Sequence, residues 1–160
     1  MTPVCILSAI TERKVASGKS NEIHMTERLK PARILIADDQ PAFRGILSYL
    51  LSEEPDLKLV AEAADGVEAL ELCRQLQPDL VIMDLKMPKM DGWEATREIK
   101  KEFPPTRVLL LTAFANPGDF PKAVEVGADG YVPKYIALIE VIDVARRVLS
   151  GESVMNRDTF

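Results

Sequence analysis

From Ala32 onward the apolar residues alternate between short dense runs and stretches spaced at helical intervals. The runs RILIA (33–37), LKLVAEA (57–63), DLVIMD (79–84), RVLLLTA (107–113) and GYVP (130–133) predict strands. The third and fourth are nearly continuously apolar, the pattern of parallel strands buried on both faces. Between and after them, helices are predicted near 41–53, 66–76, 91–102, 119–126 and 135–149. In the first, Phe43, Ile46, Leu47, Leu50 and Leu51 recur at helical spacing. Pro41 suits its first turn, where an amide hydrogen would have no partner. The third begins Asp91-Gly92-Trp93-Glu94, an acidic cap with a Glu three positions on, in the manner of a capping box.

Five strands alternating with five helices through short loops imply an α/β fold with a doubly wound five-stranded parallel sheet. Right-handed crossovers leave few topologies. The common small solution has strand order 2-1-3-4-5, with ligands bound outside the carboxyl ends of strands 1 and 3. The first strand ends in Asp38-Asp39 and the third in Asp84, so three carboxylates converge where this fold binds ligands. The last helix has an apolar arc of roughly 160°, wider than the ~100° a core-facing helix needs. Leu138, Ile142, Ala145 and Leu149 are placed toward the sheet. Val141, Val144 and Val148 are placed on a flank that would serve a dimer mate or an output domain, unless the whole arc is core. Cys73, on the apolar stripe of residues 70–76, reads as core rather than redox-active.

Residues 1–30 have no sustained period and read as a flexible N-terminal extension. Gly18-Lys19-Ser20 imitates the end of a phosphate-binding loop, but the required earlier Gly falls at Arg13 and no strand precedes it. Met25 is a second plausible start. The domain reading is therefore extension 1–30, one folded domain 31–150, and a tail or start of a linker 151–160.

Length and composition suit one domain with a full core: 160 residues, 47% apolar and 28% charged. The longest apolar run, residues 108–115 with Thr112 inside it, is far short of a membrane span. The opening MTPVCILSAI lacks a basic segment before its apolar stretch, which argues against a secretory signal. Cys5 and Cys73 make no metal or disulfide pattern, so a cytoplasmic protein is expected. Net charge is −5, but residues 1–30 carry five Lys/Arg and three Asp/Glu, leaving 15 against 22 in the remainder. A body this acidic is a poor surface for duplex DNA.

Three neighbouring carboxylates repel one another and raise each other's pKa unless a positive charge sits among them. No His or Cys lies at these strand ends, so a hard divalent cation fits best. Mg2+ is the expected ion. The fourth strand ends in Thr112-Ala113, which offers a hydroxyl, and Lys134 follows the fifth. Acid pair, third Asp, hydroxyl and Lys around a magnesium ion make a site for phosphoryl chemistry. Asp84 would attack phosphorus while the metal and Lys134 neutralise the transferred oxygens.

The stretches LIADDQPAFR, LVIMDLKMPKMDGWEATREIK, VLLLTA and GADGYVPK resemble the response-regulator receiver domain of bacterial two-component signalling, with its flavodoxin-like fold, over about residues 32–150. The wording of LIADDQP and GADGYVPK is most similar to the NarL/LuxR-type regulators. The resemblance implies that Asp84 receives phosphate from a sensor histidine kinase. It implies Asp39 as a direct magnesium ligand, Asp38 acting through water, and the backbone carbonyl of Lys86 as a further ligand. Thr112 corresponds to the switch hydroxyl and Tyr131 to the aromatic that turns inward with it. Lys134 corresponds to the Lys that pairs with phosphate. The output would appear on the face formed by the fourth helix, fifth strand and fifth helix, with a homodimer one arrangement it would serve. No membrane contact is implied. The protein would not be an enzyme beyond its own magnesium-dependent phosphorylation and dephosphorylation.

Several positions depart from the family pattern. Gln40 stands where the subfamily often has His. Lys86 puts a cation two residues past the acceptor, a position that tunes phosphate lifetime. Residues 116–121, Asn-Pro-Gly-Asp-Phe-Pro, imply an irregular, helix-poor segment. Pro133 precedes Lys134, and Tyr135 follows it, so a cis Lys–Pro bond is impossible. The tail GESVMNRDTF resembles the start of a linker to a helix-turn-helix domain, through which DNA would be bound. The alternative is a stand-alone receiver acting by partner contact or phosphorelay. An Asp-nucleophile phosphatase of the haloacid-dehalogenase type needs a second Asp where Lys86 stands. A dinucleotide-binding protein needs a Gly-rich first turn, and ADDQPAF has none.

Overall fold

Strand β1 (Ala32–Ala37) runs into α1 (Pro41–Ser52), then β2 (Leu57–Ala63), α2 (Gly66–Leu76), β3 (Leu80–Asp84) and α3 (Gly92–Glu102). The chain continues through β4 (Arg107–Thr112), α4 (Asp119–Glu125), β5 (Gly130–Pro133), α5 (Lys134–Leu149) and β6 (Val154–Met155). These elements come from a computed structural model that describes residues 30–155. The expected extension 1–30, with Cys5, the Gly18-Lys19-Ser20 stretch and Met25, lies almost wholly outside the described residues.

All strand pairs are parallel and the order is β2-β1-β3-β4-β5-β6. Five strands in the order 2-1-3-4-5 are as expected. The sixth is a correction to the five-stranded reading. Gly151 adopts φ +95, a left-handed conformation that costs glycine little, and turns the chain back along β5 after α5. Val154 donates its amide to Asp129 O at 3.0 Å, and its neighbour across the ladder is Gly130, which has no side chain to obstruct it. Two residues are too few to leave a period in the sequence.

The sheet divides the core into two layers. On one side Ile34, Ile36, Ile82, Leu109 and Leu111 pack against Leu47 and Leu51 of α1 and Val141, Val144 and Val148 of α5. On the other, Leu35, Val81, Met83 and Leu110 pack against Leu70 and Cys73 of α2, Ile99 of α3 and Ala123 of α4. Each such fully buried aliphatic side chain contributes roughly 1.5–3 kcal/mol. All five residues of β3 are buried, as its unbroken apolar run requires. Cys73 has no exposed surface, and burial pushes its thiol up to about 12, so it is packing and not chemistry.

Helix α5 is rotated from the expected face. Val141, Val144, Ala145 and Val148 are buried, whereas Leu138 is 40% exposed and Ile142 and Leu149 only partly covered. The small valines and alanines let α5 approach the sheet closely, with Val148 filling the space over Gly130. The flank proposed for a partner is thus core, and the outward residues are Leu138 and Ile139. No helix among the described residues is long and apolar enough to cross a membrane.

Candidate functional site

Parallel strands end together on one edge, so β1 and β3, being neighbours, bring Asp38 and Asp84 side by side. Asp38 is 1% exposed and Asp84 5% exposed. Asp39, the next residue, is exposed at the rim. One carboxylate oxygen from each of the three lies within 4.8 Å of the others. Lys134, the first residue of α5, reaches across from β5: its Nζ is 2.6 Å from Asp38 Oδ2 and 3.4 Å from Asp84 Oδ2. The lysine is itself held over the Phe43 ring, with Nζ 4.5 Å from the centroid. Phe43 was legible only as an apolar position of α1, and its ring as a floor for the ammonium was not.

The loop after Asp84 is held by close backbone contact. Gly92 donates its amide to Leu85 O at 2.8 Å, and a Cβ at Gly92 would fall 2.2 Å from Asp84 O. No other residue lets α3 start so near the end of β3. Asp91 caps α3 by accepting the Glu94 amide at 2.8 Å. At β1, Asp38 Oδ1 accepts the Gln40 amide at 2.8 Å, and Arg44 donates to Asp38 O at 2.6 Å. The irregular segment expected at 116–121 becomes a loop and a seven-residue helix, with Pro121 in its first turn. All peptide bonds among the described residues are trans.

Three carboxylates face one ammonium, so negative charge is left over. Asp84 is raised to about 6, first by burial and then by the charge on Asp38, with Lys134 opposing both. Asp38 Oδ2 is buried and, although Lys134 Nζ lies beside it, makes no well-aligned hydrogen bond. An oxygen-only donor set of three carboxylates around a single ammonium, with negative charge in surplus, fits a hard divalent cation.

The remaining predicted residues lie around this cluster. Lys86 is exposed on the β3–α3 loop, with Nζ 5.8 Å from the Phe114 ring centroid. Thr112 closes β4, but its hydroxyl is turned onto the following loop, donating to Phe114 O at 2.9 Å. Tyr131 is fully buried, and its hydroxyl donates to Asp119 Oδ2 at 2.7 Å. Its ring stacks on Trp93 with centroids 6.2 Å apart, and Lys122 Nζ lies 4.8 Å from the Trp93 ring centroid. Asp119, Trp93 and Lys122 were not singled out in the sequence, where nothing marks a helix start, an aromatic of α3 and a lysine as neighbours.

The profile of the response regulator receiver domain matches residues 34–146. Response regulator protein VraR of Staphylococcus aureus is 42% identical over 129 residues, which are 80% of this chain and 61% of that protein. The chain thus spans about three fifths of that relative's length. A two-component response regulator of the LuxR family from Aurantimonas sp. SI85-9A1 superposes with TM-score 0.75 at 38% identity, covering 81% of this chain and 92% of that one. The signal receiver domain of the putative response regulator NarL from Mycobacterium tuberculosis gives 0.72 at 33%, covering 77% and 99%.

Proposed function

The chain belongs to the response regulator receiver family, with LuxR-family regulators among its relatives, and from that premise we propose that Asp84 is its phosphoacceptor. A sensor histidine kinase is the donor. The observation that carries this reading is the convergence of Asp38, Asp39 and Asp84 within 4.8 Å around the ammonium of Lys134.

Asp84 carries the nucleophile. Held near 6, its carboxylate is mostly ionised at neutral pH, and Lys134 sits 3.4 Å from the Oδ2 oxygen. The bond from the Asp84 oxygen to phosphorus forms as the donor's bond to phosphorus breaks, and the electron pair leaves on the donor imidazole. Lys134 then neutralises the phosphoryl oxygens. Asp39 and Asp84 would hold Mg2+ directly, with Asp38 through water and the Lys86 carbonyl completing the protein ligands. The bound ion supplies Lewis-acid stabilisation of the transferred oxygens. Thr112 leaves Phe114 O to donate to the phosphoryl group, which moves the loop into α4 and so alters the α4–β5–α5 face.

The receiver takes in β6, which completes its sheet, and an output through DNA binding suits a chain similar to LuxR-family regulators. The working compartment is the cytoplasm, where the kinase presents its phosphohistidine. The test is incubation with acetyl phosphate, with and without magnesium, read as a mass shift. Wild type gains one phosphoryl group only with magnesium, and Asp84→Asn gains none. A folded wild type that stays unmodified overturns the assignment.

A further inference from the structure

Tyr131 is buried to 0% exposure in the layer formed by Leu110, Ala123 and Val126, and a buried phenol needs a hydrogen-bond partner. One such partner stands at the start of α4. Asp119 Oδ2 accepts from Tyr131 Oη at 2.7 Å, and the same oxygen accepts from the Asn116 amide at 3.0 Å and from Asn116 Nδ2 at 3.4 Å. One carboxylate oxygen thereby ties the β4–α4 loop, the first residue of α4 and the side chain of β5. Burial and then this hydrogen bond hold the phenol above its ordinary range, so it remains a donor. The arrangement coexists with the Thr112 hydroxyl bonded to Phe114 O and so turned away from Asp84.

We propose that Asp119 is a positioning residue that holds Tyr131 in its buried place before phosphorylation, so that the phosphoryl group has only Thr112 and its loop left to move. The inference rests on the receiver reading for its consequence, though not for its geometry. The aromatic position is biased by differential contacts, as any two-state element must be. Here one set of contacts comes from the start of α4 itself.

Trp93 is the one tryptophan in the chain and stacks on Tyr131, so its emission reports the ring position. It also lines a cavity of about 570 Å³ together with Asn116, Asp119 and Lys122, which admits a soluble quencher such as acrylamide. In protein without any phosphodonor, Asp119→Ala should red-shift Trp93 emission and increase quenching. Tyr131→Phe, which removes a single oxygen, should move both in the same direction. The double variant should go no further than either one. Asp119→Asn keeps an acceptor and should restore the wild-type spectrum. Acetyl phosphate with magnesium, followed by mass measurement on the same wild-type sample, records separately whether the adduct forms.

Unchanged spectra in both Asp119→Ala and Tyr131→Phe, additive shifts in the double variant, or failure of Asn to restore the spectrum overturn the latch. If Asp119→Ala unfolds, Tyr131→Phe alone decides. Absence of an adduct in wild type counts against the receiver reading and leaves the spectral result for Asp119 standing.

Discussion

At the ends of β1 and β3 the backbone does the positioning: Asp38 and Asp84 terminate adjacent parallel strands, and Gly92 packs against the main chain of Asp84. Across the sheet, between β4 and β5, side chains do it. There Thr112 binds Phe114 O and Tyr131 binds Asp119, while α4 is only seven residues long. The first region is placed by the main chain and electrostatically costly. The second is held by side-chain hydrogen bonds and is electrostatically cheap, because neutral donors meet their acceptors. The proposed phosphorylation needs both: a fixed place for charge to arrive, and a neighbouring element whose hydrogen bonds can be exchanged.

The largest effect is expected from removing the cation of the acid end. Lys134→Ala leaves Asp38 and Asp84 buried without their counter-charge, and breaking such a pair costs about 3–5 kcal/mol. Urea unfolding at neutral pH in EDTA measures it, and adding Asp38→Asn should recover part of the loss. A cost below about 1 kcal/mol, the range of a surface ion pair, would remove the contrast between the two regions.

Asp84→Asn should act in the opposite direction in metal-free protein. The folded value, about 6, lies above the ordinary 3.8, so between them the folded state keeps a proton that the unfolded chain has lost. Stability therefore falls as pH rises through that window, and the penalty is complete above it. Each pH unit corresponds to about 1.4 kcal/mol. With residual solvent screening, Asp84→Asn is expected to gain about 1–2 kcal/mol at neutral pH. It should gain little near pH 4 and flatten the pH profile between. A profile identical to wild type would show that the acid end carries no such strain.

On the other side of the sheet, Thr112→Val should cost only about 1 kcal/mol, the worth of one hydroxyl hydrogen bond. Adduct formation on Asp84 should persist, while the response of the α4–β5–α5 face to phosphorylation, read by amide exchange, should be lost. A cost comparable to that of Lys134→Ala would mean that the loop is as rigid as the acid cluster.

How far the chain could be read follows from the same contrast. Strand bounds came within a residue or so because each strand is a dense apolar run ended by polar residues, and the meeting of Asp38, Asp39 and Asp84 needed only strand ends and strand order. The phase of α5 did not follow, because Leu138, Val141, Ile142, Val144 and Val148 are all apolar and periodicity cannot rank them. Packing ranked them by size, setting Val148 over Gly130 and leaving Leu138 partly in solvent. The hydrogen bond between Asp119 and Tyr131 was equally hidden, since a helix-starting acid has an ordinary local role and twelve residues separate the pair.

By itself, then, the sequence determined the alternation of strands and helices, the shared edge of the acids and the kind of chemistry they suit, because periodicity and charge act locally and strand order is restricted. Only the tertiary structure decided which face of α5 is buried, where the Thr112 hydroxyl points, that Phe43 lies under Lys134, and that Asp119 holds Tyr131. These depend on side-chain volume and on donors meeting acceptors across distant segments, and neither leaves a period in the chain.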